Sequence, residues 1–313
     1  MTNVTHRLLV SAAAVGLALV SSAVHADPEP SRHAGRAAVY EKLHGASLEA
    51  VSTPETIRAM FDRNGNAVVA PTRIWKVLEH GEKVECLSCI PLVSGLLYNA
   101  NPKTREISAW WLRRRIFGVF GPGQVYSQVV ETLADQTAPE FRRMAAANAL
   151  GEFLTMSGSK HLAAAIRTDP SVQVREAAVK ALERMNNQGP NQELSFAMND
   201  DAESVRLAAV RAATRVSVFT DVASIVALVG DESPLVRRAA ADSLGAMRVG
   251  DAVEGLEVLA QKANEDDPAV RKAAIWALAQ IRDVSARDVI ADAAENDPDR
   301  FVRDAAKTAL RRM

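Results

Sequence analysis

Two cysteines, Cys86 and Cys89, are the residues of this 313-residue chain whose type and spacing most directly indicate chemistry. A Cys-x-x-Cys pair attaches c-type haem only when a histidine follows, and Ile90 stands in that position. A zinc site needs four ligands, and only His80 lies close to the pair. Two interpretations stay open: a redox-active dithiol at a helix N-terminus, and a local structural disulfide or pair of packed thiols.

Other catalytic constellations are missing from the sequence. Beyond residue 26 the histidines are His33, His44, His80 and His161, and none is followed by glutamate, which excludes a two-iron site built from His-Glu pairs. The chain contains no glycine-rich phosphate loop and no Gly-x-Ser-x-Gly turn. We therefore predict a protein that is not an enzyme and has no cofactor and no metal.

The N-terminus has the pattern of a cleaved signal peptide. Arg7 precedes an uncharged apolar run from Leu8 to Val24, and small residues at Val24 and Ala26 flank His25. We expect cleavage after Ala26, which places the mature protein in the periplasm or outside the cell. Disulfides persist in such compartments.

Composition limits the possible partners. The chain is 48% hydrophobic and 24% charged, with a formal net charge of −1. This balance provides no bulk attraction to nucleic acid or to an anionic membrane. We predict binding to neither, and a monomeric protein whose partner is another protein.

The elements that position these residues are repeats of one helical phrase, in which an arginine is followed by paired alanines. The arginine recurs every 31 to 38 residues, a period typical of stacked supersecondary units. Its copies are Arg105, Arg143, Arg175, Arg206, Arg237, Arg271 and Arg303. A shorter apolar helix is predicted before each of the last five copies: 161–166, 193–198, 222–228, 253–260 and 286–294.

Acidic turns separate the two helices of each unit. They contain Asp169, Asp200, Asp231, Asp267 and Asp297, and we expect these aspartates to be N-caps with proline in the first turn. The phrase Asp-x-x-Pro-x-Val-Arg-x-Ala-Ala-x-x-Ala-Leu resembles the HEAT repeat, in its short bacterial form named after phycobilisome lyases. The resemblance covers residues 86–313.

This resemblance implies an all-α fold: a right-handed α-solenoid of about seven two-helix repeats. It also implies a ladder of ion pairs between the arginines and the turn aspartates. Four of these aspartates stand six residues before an arginine, and Glu265 takes that place in the sixth unit. The predicted ladder comprises Arg143, Arg175, Arg206, Arg237, Arg271 and Arg303 with Asp169, Asp200, Asp231 and Asp297.

The columns of the repeat predict which helix faces are buried. The second, third and sixth residues after the arginine are almost always alanine and share one face, so we expect close helix packing there. The first, fifth and eighth positions should be exposed. In HEAT-type stacks the second helix lines the concave side, so the resemblance implies that this exposed column contacts a partner.

Two tryptophans, Trp110 and Trp276, stand in the fifth position, where other copies are polar. Tryptophan is enriched in binding hot spots, although each ring can instead pack against the next repeat. We predict Trp110 and Trp276 as apolar anchors, with Lys180 and Arg211 as polar contacts between them. Arg113 and Arg114, followed by Arg115, form either a solvated helix end or a basic recognition patch.

Residues 27–85 show no repeat, and we expect an irregular helical cap with short helices at 37–43 and 54–61 and another beginning at Ile74.

The predicted function is an exported, non-catalytic scaffold that binds a protein along its concave face. One alternative is a thiol–disulfide or electron-transfer accessory protein that uses Cys86 and Cys89. A further alternative is an enzyme like the chromophore lyases.

Overall fold

The computed structural model describes residues 53–63, 66–81, 86–115, 123–186, 191–217, 219–265 and 267–313. Every described residue belongs to one compact unit, 44–313. The predicted signal peptide and the predicted helix at 37–43 lie outside the described residues. Within those residues, no helix has the length and apolar character needed to cross a membrane.

The described part of the chain is all-α, apart from one isolated antiparallel bridge between Phe61 and Ala67. Within the described residues, two helices precede seven consecutive helix pairs, which confirms the predicted α-solenoid of two-helix repeats. The helices are α1 (Pro54–Arg58), α2 (Pro71–His80), α3 (Ile90–Leu96), α4 (Pro102–Arg113), α5 (Gln124–Ala134), α6 (Glu140–Phe153), α7 (Met156–Thr168), α8 (Val172–Met185), α9 (Asn191–Ala197), α10 (Glu203–Arg215), α11 (Val222–Ala227), α12 (Pro234–Met247), α13 (Val253–Ala260), α14 (Pro268–Ile281), α15 (Arg287–Asn296) and α16 (Arg300–Leu310).

The second helix of each pair carries the arginine phrase, and its N-terminus differs from the prediction. The side chains of Ser171, Ser233, Asp267 and Asp299 accept hydrogen bonds from backbone N–H groups in the first turn of their helices. The expected caps Asp169, Asp200, Asp231 and Asp297 lie two residues before the actual N-cap residues. The prediction is therefore wrong for these four and right for Asp267, because the four carboxylates are engaged elsewhere.

Small side chains form the contact between neighbouring second helices. Along α8, Ala177, Ala178 and Ala181 are buried, and the equivalent alanines of α10 and α14 are buried as well. Valine or isoleucine next to them, such as Val179 and Ile275, completes the apolar face. The absence of long side chains between the helices lets their backbones approach closely.

Glycine marks the closest approaches. A Cβ on Gly245 of α12 would lie 2.6 Å from the Cα of Ala277 in α14, and one on Gly151 of α6 would lie 2.8 Å from the Cα of Ala181 in α8. Both glycines occupy the eighth position after the arginine, and they are buried, as is Ala279. The prediction that this position is exposed is thus wrong in three repeats.

The N-terminal helices cover the apolar start of the stack. Helix α2 packs against α4, and its Ile74, Trp75 and Leu78 are buried. Helix α1 begins after Thr53, whose side chain accepts a hydrogen bond from the Thr56 N–H, and it ends at Arg58, three residues before the predicted end. It contacts α3 and the short 3-10 turn Leu87–Cys89.

Candidate functional site: the inner face of the stack

A ladder of buried ion pairs fixes the position of each repeat relative to the next. In five repeats the arginine donates from Nε and Nη2 to both oxygens of one carboxylate, at 2.6–3.0 Å. The carboxylate belongs to the turn of the following repeat, 25 to 28 residues onward. The pairs are Arg143–Asp169, Arg175–Asp200, Arg206–Asp231, Arg237–Glu265 and Arg271–Asp297.

Each rung also involves the backbone of two turns. Arg271 donates from Nη1 to the carbonyl of Glu265, in the turn of its own repeat, at 2.9 Å. Asp297 in turn accepts the Asp299 N–H at 2.8 Å, which orders the turn before α16. The acid six residues before each arginine therefore contributes its carbonyl to that arginine and its carboxylate to the preceding one.

The electrostatics of the rungs favour the charged state. Burial alone would raise the pKa of Asp297, but hydrogen bonds from Arg271 and from the Asp299 N–H, with the charges of Arg271 and Arg303, hold that pKa below its usual value. The pKa of Asp200 is lowered in the same way by Arg175, by the Ala202 N–H and by the charge of Arg206, against the opposing effect of burial.

The first and last arginines of the series have other contacts. Arg303 donates from Nη1 to the carbonyls of Asp297 and Pro298, and no carboxylate of the described residues pairs with it. The guanidinium of Arg105 bonds the carbonyls of Asn99 and Ala100, and it lies over the ring of Phe141 at 5.3 Å. The turn before α6 has Thr137 where the five following turns carry the acid, so Arg105 has no carboxylate rung to pair with among the described residues.

Neighbouring second helices contact one another far more extensively than neighbouring first helices do. The stack therefore curves with its second helices on the inner side. The fifth residues after the arginines form a line along this side, which we call the inner row. It consists of Trp110, Asn148, Lys180, Arg211, Asp242, Trp276 and Thr308.

Exposure varies along the inner row. Lys180, Arg211 and Asp242 are exposed, whereas both tryptophans are half-buried. Lys180 pairs with Glu176 on its own helix. The guanidinium of Arg312 lies 5.0 Å from the centroid of the Trp276 ring and covers part of it. The tryptophans thus offer part of their surface to solvent and pack against the stack with the rest.

The three consecutive arginines at the end of α4 do not form one solvated run. Arg114 is exposed and Arg113 is half-buried, but Arg115 is 2% exposed. Its guanidinium lies 3.8 Å from the centroid of the Trp111 ring and donates to the Trp111 carbonyl at 2.7 Å. Trp111 is itself buried, at 1% exposure. Arg115 is therefore part of the core, which the run of like charges did not indicate.

A cleft of about 340 Å³ opens on the inner side between α10 and α12. We call it the basic cleft, because Arg211, Arg215 and Arg238 line it together with Leu235 and Asp242. Burial raises the pKa of Asp242, against the nearby charges of Arg238, Arg211 and Lys272. A smaller cleft of about 210 Å³ lies between α4, α6 and α8, where Arg184 pairs with the buried Glu152 at 3.2 Å.

The two cysteines form a disulfide with each other. Cys89 is fully buried, whereas Cys86 is half-exposed and its sulfur lies 3.6 Å from the Ser88 hydroxyl. The pair occupies the junction between the N-terminal helices and the first repeat. Among the described residues, no group of three or more His, Cys, Asp or Glu side chains is arranged to hold a metal ion.

The comparisons with known proteins agree with this architecture. A family model described as HEAT repeats matches residues 159–225 and 222–311. No curated protein sequence matches the chain. The family match covers the last five of the seven helix pairs. It includes every ladder arginine except Arg143.

Solved structures of similar fold share little sequence with the chain. The YibA protein of Escherichia coli is 15% identical with a TM-score of 0.54, and the match covers 88% of this chain and all of that one. Kap95p, in a structure with RanGDP, is 13% identical with a TM-score of 0.54, over 87% of this chain and 41% of that one. An archaeal HEAT-like repeat protein from Thermococcus onnurineus is 13% identical with a TM-score of 0.47, over 71% and 96% of the two chains.

Proposed function

We propose, from the premise that residues 159–311 are HEAT repeats, that the protein is an exported, non-catalytic scaffold that binds another protein along its inner face. The inner row carries this proposal. The packed second helices align its side chains at a regular spacing, and each rung of the ladder holds the next helix in place. A rigid, curved surface of this kind can engage an extended partner without rearranging.

Trp110 and Trp276 are the proposed apolar anchors, and Lys180 and Arg211 are the proposed polar contacts between them. Half-buried tryptophan suits such a role, since the packed part of the ring orients the part that a partner covers. Arg113 and Arg114 would extend the surface at its N-terminal end. Curved stacks of this fold class also bind proteins elsewhere, as the structure of Kap95p with RanGDP illustrates.

The test is crosslinked affinity capture from the exported fraction, where we expect the chain to begin at Asp27. A Trp110→Ala/Trp276→Ala variant should fail to retain a specific partner that the wild type captures. We expect the amount of captured partner to fall by about tenfold or more, as for truncation of hot-spot residues. A Phe196→Ala/Val258→Ala variant is the matched control, because these apolar side chains are 41% and 48% exposed on first helices.

Melting curves of the three proteins establish whether the variants are folded alike. Capture of the same partner by wild type and by the tryptophan variant, at equal stability, would place the binding surface outside the inner row. Loss of capture in the control alone would assign it to the outer face.

The disulfide supports a second candidate function, a thiol–disulfide accessory role. A half-exposed cysteine bonded to a buried one is accessible to an attacking thiolate at one sulfur only. A redox role predicts a reduction potential near or above that of thioredoxin, about −270 mV, whereas a structural role predicts a value below about −300 mV. The measurement is equilibration of the purified protein with dithiothreitol buffers, followed by alkylation and mass analysis.

A further inference from the structure

Three arginines and one aspartate line the basic cleft, and Lys272 of α14 lies near that aspartate, Asp242, just outside the lining. Neither Arg211 nor Lys272 makes an ion pair or side-chain hydrogen bond within the described part of the chain. Arg238 contacts Asp242 at 3.8 Å, and both side chains are more than half exposed, so this pair is weak. Arg215 is engaged by Glu183 of α8 at 2.5 Å.

The cleft also has an apolar edge. Leu235 is 52% exposed at the start of α12, and the small side chains of Ala239 and Ser243 form the floor below it. A hydrogen bond of 2.7 Å joins the hydroxyls of Thr214 and Ser243 across the contact between α10 and α12 at this floor. A ligand that fills the cleft therefore meets cations at the sides and an aliphatic side chain at the rim.

The span of the cations indicates the size of the ligand. Arg211, Asp242 and Lys272 lie on three consecutive second helices, α10, α12 and α14. Two interhelical spacings of 8–10 Å each separate the outer pair by about 20 Å. An extended polypeptide covers this distance with about six residues.

We propose that the basic cleft, together with the adjacent Lys272, binds an extended acidic segment of a protein partner, whose carboxylates pair with Arg211 and Lys272 and whose apolar side chain covers Leu235. This inference rests on the proposed function and adds the chemistry of the partner. The charge pattern favours a peptide over a nucleic acid, because Asp242 and Glu183 interrupt the cations and would repel a continuous phosphate backbone. Nucleic-acid sites instead present uninterrupted basic surfaces.

The test uses fluorescence anisotropy with defined probes and the purified protein. The probe is a labelled Glu-Asp-Leu-Phe-Asp-Glu peptide, with the neutral isostere Gln-Asn-Leu-Phe-Asn-Gln and a six-nucleotide single-stranded DNA as comparisons. The acidic peptide should bind wild type, and the isostere should bind about tenfold less well, as expected for the loss of exposed ion pairs. Affinity for the acidic peptide should fall between about 0.05 M and about 0.3 M salt, because screening lengths shorten over this range.

The decisive variant is Arg211→Glu/Lys272→Glu, which should weaken binding of the acidic peptide by about tenfold or more. Its control is Lys160→Glu/Arg287→Glu, which makes the same change in net charge with exposed residues of the first helices α7 and α15. The control should bind like wild type. Equal binding by both variants, tighter binding of the DNA than of the peptide, or no binding of any probe would each overturn the proposal.

The two proposals fail in distinguishable ways. If the affinity-captured partner depends on Trp110 and Trp276 but is unaffected by Arg211→Glu/Lys272→Glu, the inner face binds a protein and the basic cleft is not its acidic subsite. If the partner depends on neither pair, the binding surface lies outside the inner face, and both the inner-face proposal and the acidic-subsite proposal are wrong.

Discussion

Replacing Arg271 with alanine should lower the free energy of unfolding by about 3–5 kcal/mol, the usual cost of leaving one member of a buried ion pair without its partner. Arg271 and Asp297 have side chains that are each 2% exposed, and the guanidinium also bonds the Glu265 carbonyl. Arg271→Ala therefore leaves the buried Asp297 carboxylate without its ion-pair partner and removes the hydrogen bond to the Glu265 carbonyl. Urea unfolding followed by circular dichroism measures the change.

Arg303 supplies a matched control for this variant. It occupies the same position of the repeat but bonds only two backbone carbonyls within the described residues. Arg303→Ala should cost less than Arg271→Ala, about 1–3 kcal/mol, because each of its two hydrogen bonds contributes about 0.5–1.5 kcal/mol. If the two variants lost equal stability, the carboxylate rung would not be the source of the effect.

A double replacement separates the charge pair from packing. Arg271→Met/Asp297→Leu removes both charges and keeps most of the volume, so it should restore much of the stability that Arg271→Ala loses. The pH profile gives a second readout. Since the folded-state pKa of Asp297 is lowered, the stability from this pair is complete above its unfolded pKa of about 4 and is lost as the pH falls through the lower folded value. The double variant should lose less folding stability than wild type as the pH falls below about 4.

Replacing Gly245 with alanine should destabilise the protein by about 2 kcal/mol, although helix propensity alone predicts a gain of about 1 kcal/mol. The added Cβ would lie 2.6 Å from the Ala277 Cα, which is backbone and cannot rotate away. Helices α12 and α14 would have to separate, and that opens gaps along the alanine contact. The same denaturation experiment tests the sign of the change.

Gly250 is the control for the glycine prediction. A Cβ at this position meets no atom within 4 Å, and the residue is exposed. Gly250→Ala should leave stability within about 0.5 kcal/mol of wild type, as for other surface substitutions. A stabilising Gly245→Ala would show that α12 and α14 can move apart without cost.

Much of the fold follows from local sequence. The arginine phrase predicts the second helices, and the apolar segments before it predict the first helices to within a few residues; α13, from Val253 to Ala260, has the predicted bounds. Alanine periodicity also identifies the buried face, as Ala178 and Ala274 illustrate. These features depend on helix periodicity and on side-chain size, and both can be read from the residues of a single segment.

The candidate site was predicted less completely. The repeat columns predicted the residues of the inner row, including Lys180 and Arg211. They did not predict which side chains of adjacent repeats lie beside that row. The basic cleft arises because Arg238, in the first position of its unit, lines the same cleft as Arg211 of the preceding repeat, while Lys272, in the first position of the next unit, lies near Asp242. Cross-repeat proximity of this kind has no fixed sequence separation, since each unit differs slightly in length.

The sequence alone thus determined the repeat, its two helices and the residue types of the ladder. Only the tertiary structure decided that Asp169 pairs with Arg143 of the preceding repeat and gives its carbonyl to Arg175 of its own. It also decided that Arg115 is buried against Trp111, and that the eighth-position Gly245 faces a neighbouring backbone. The physical reason is the same in each case. Helix formation depends on contacts within a few residues. Which groups an arginine side chain contacts, and which backbone a glycine approaches, depend on how neighbouring repeats stack.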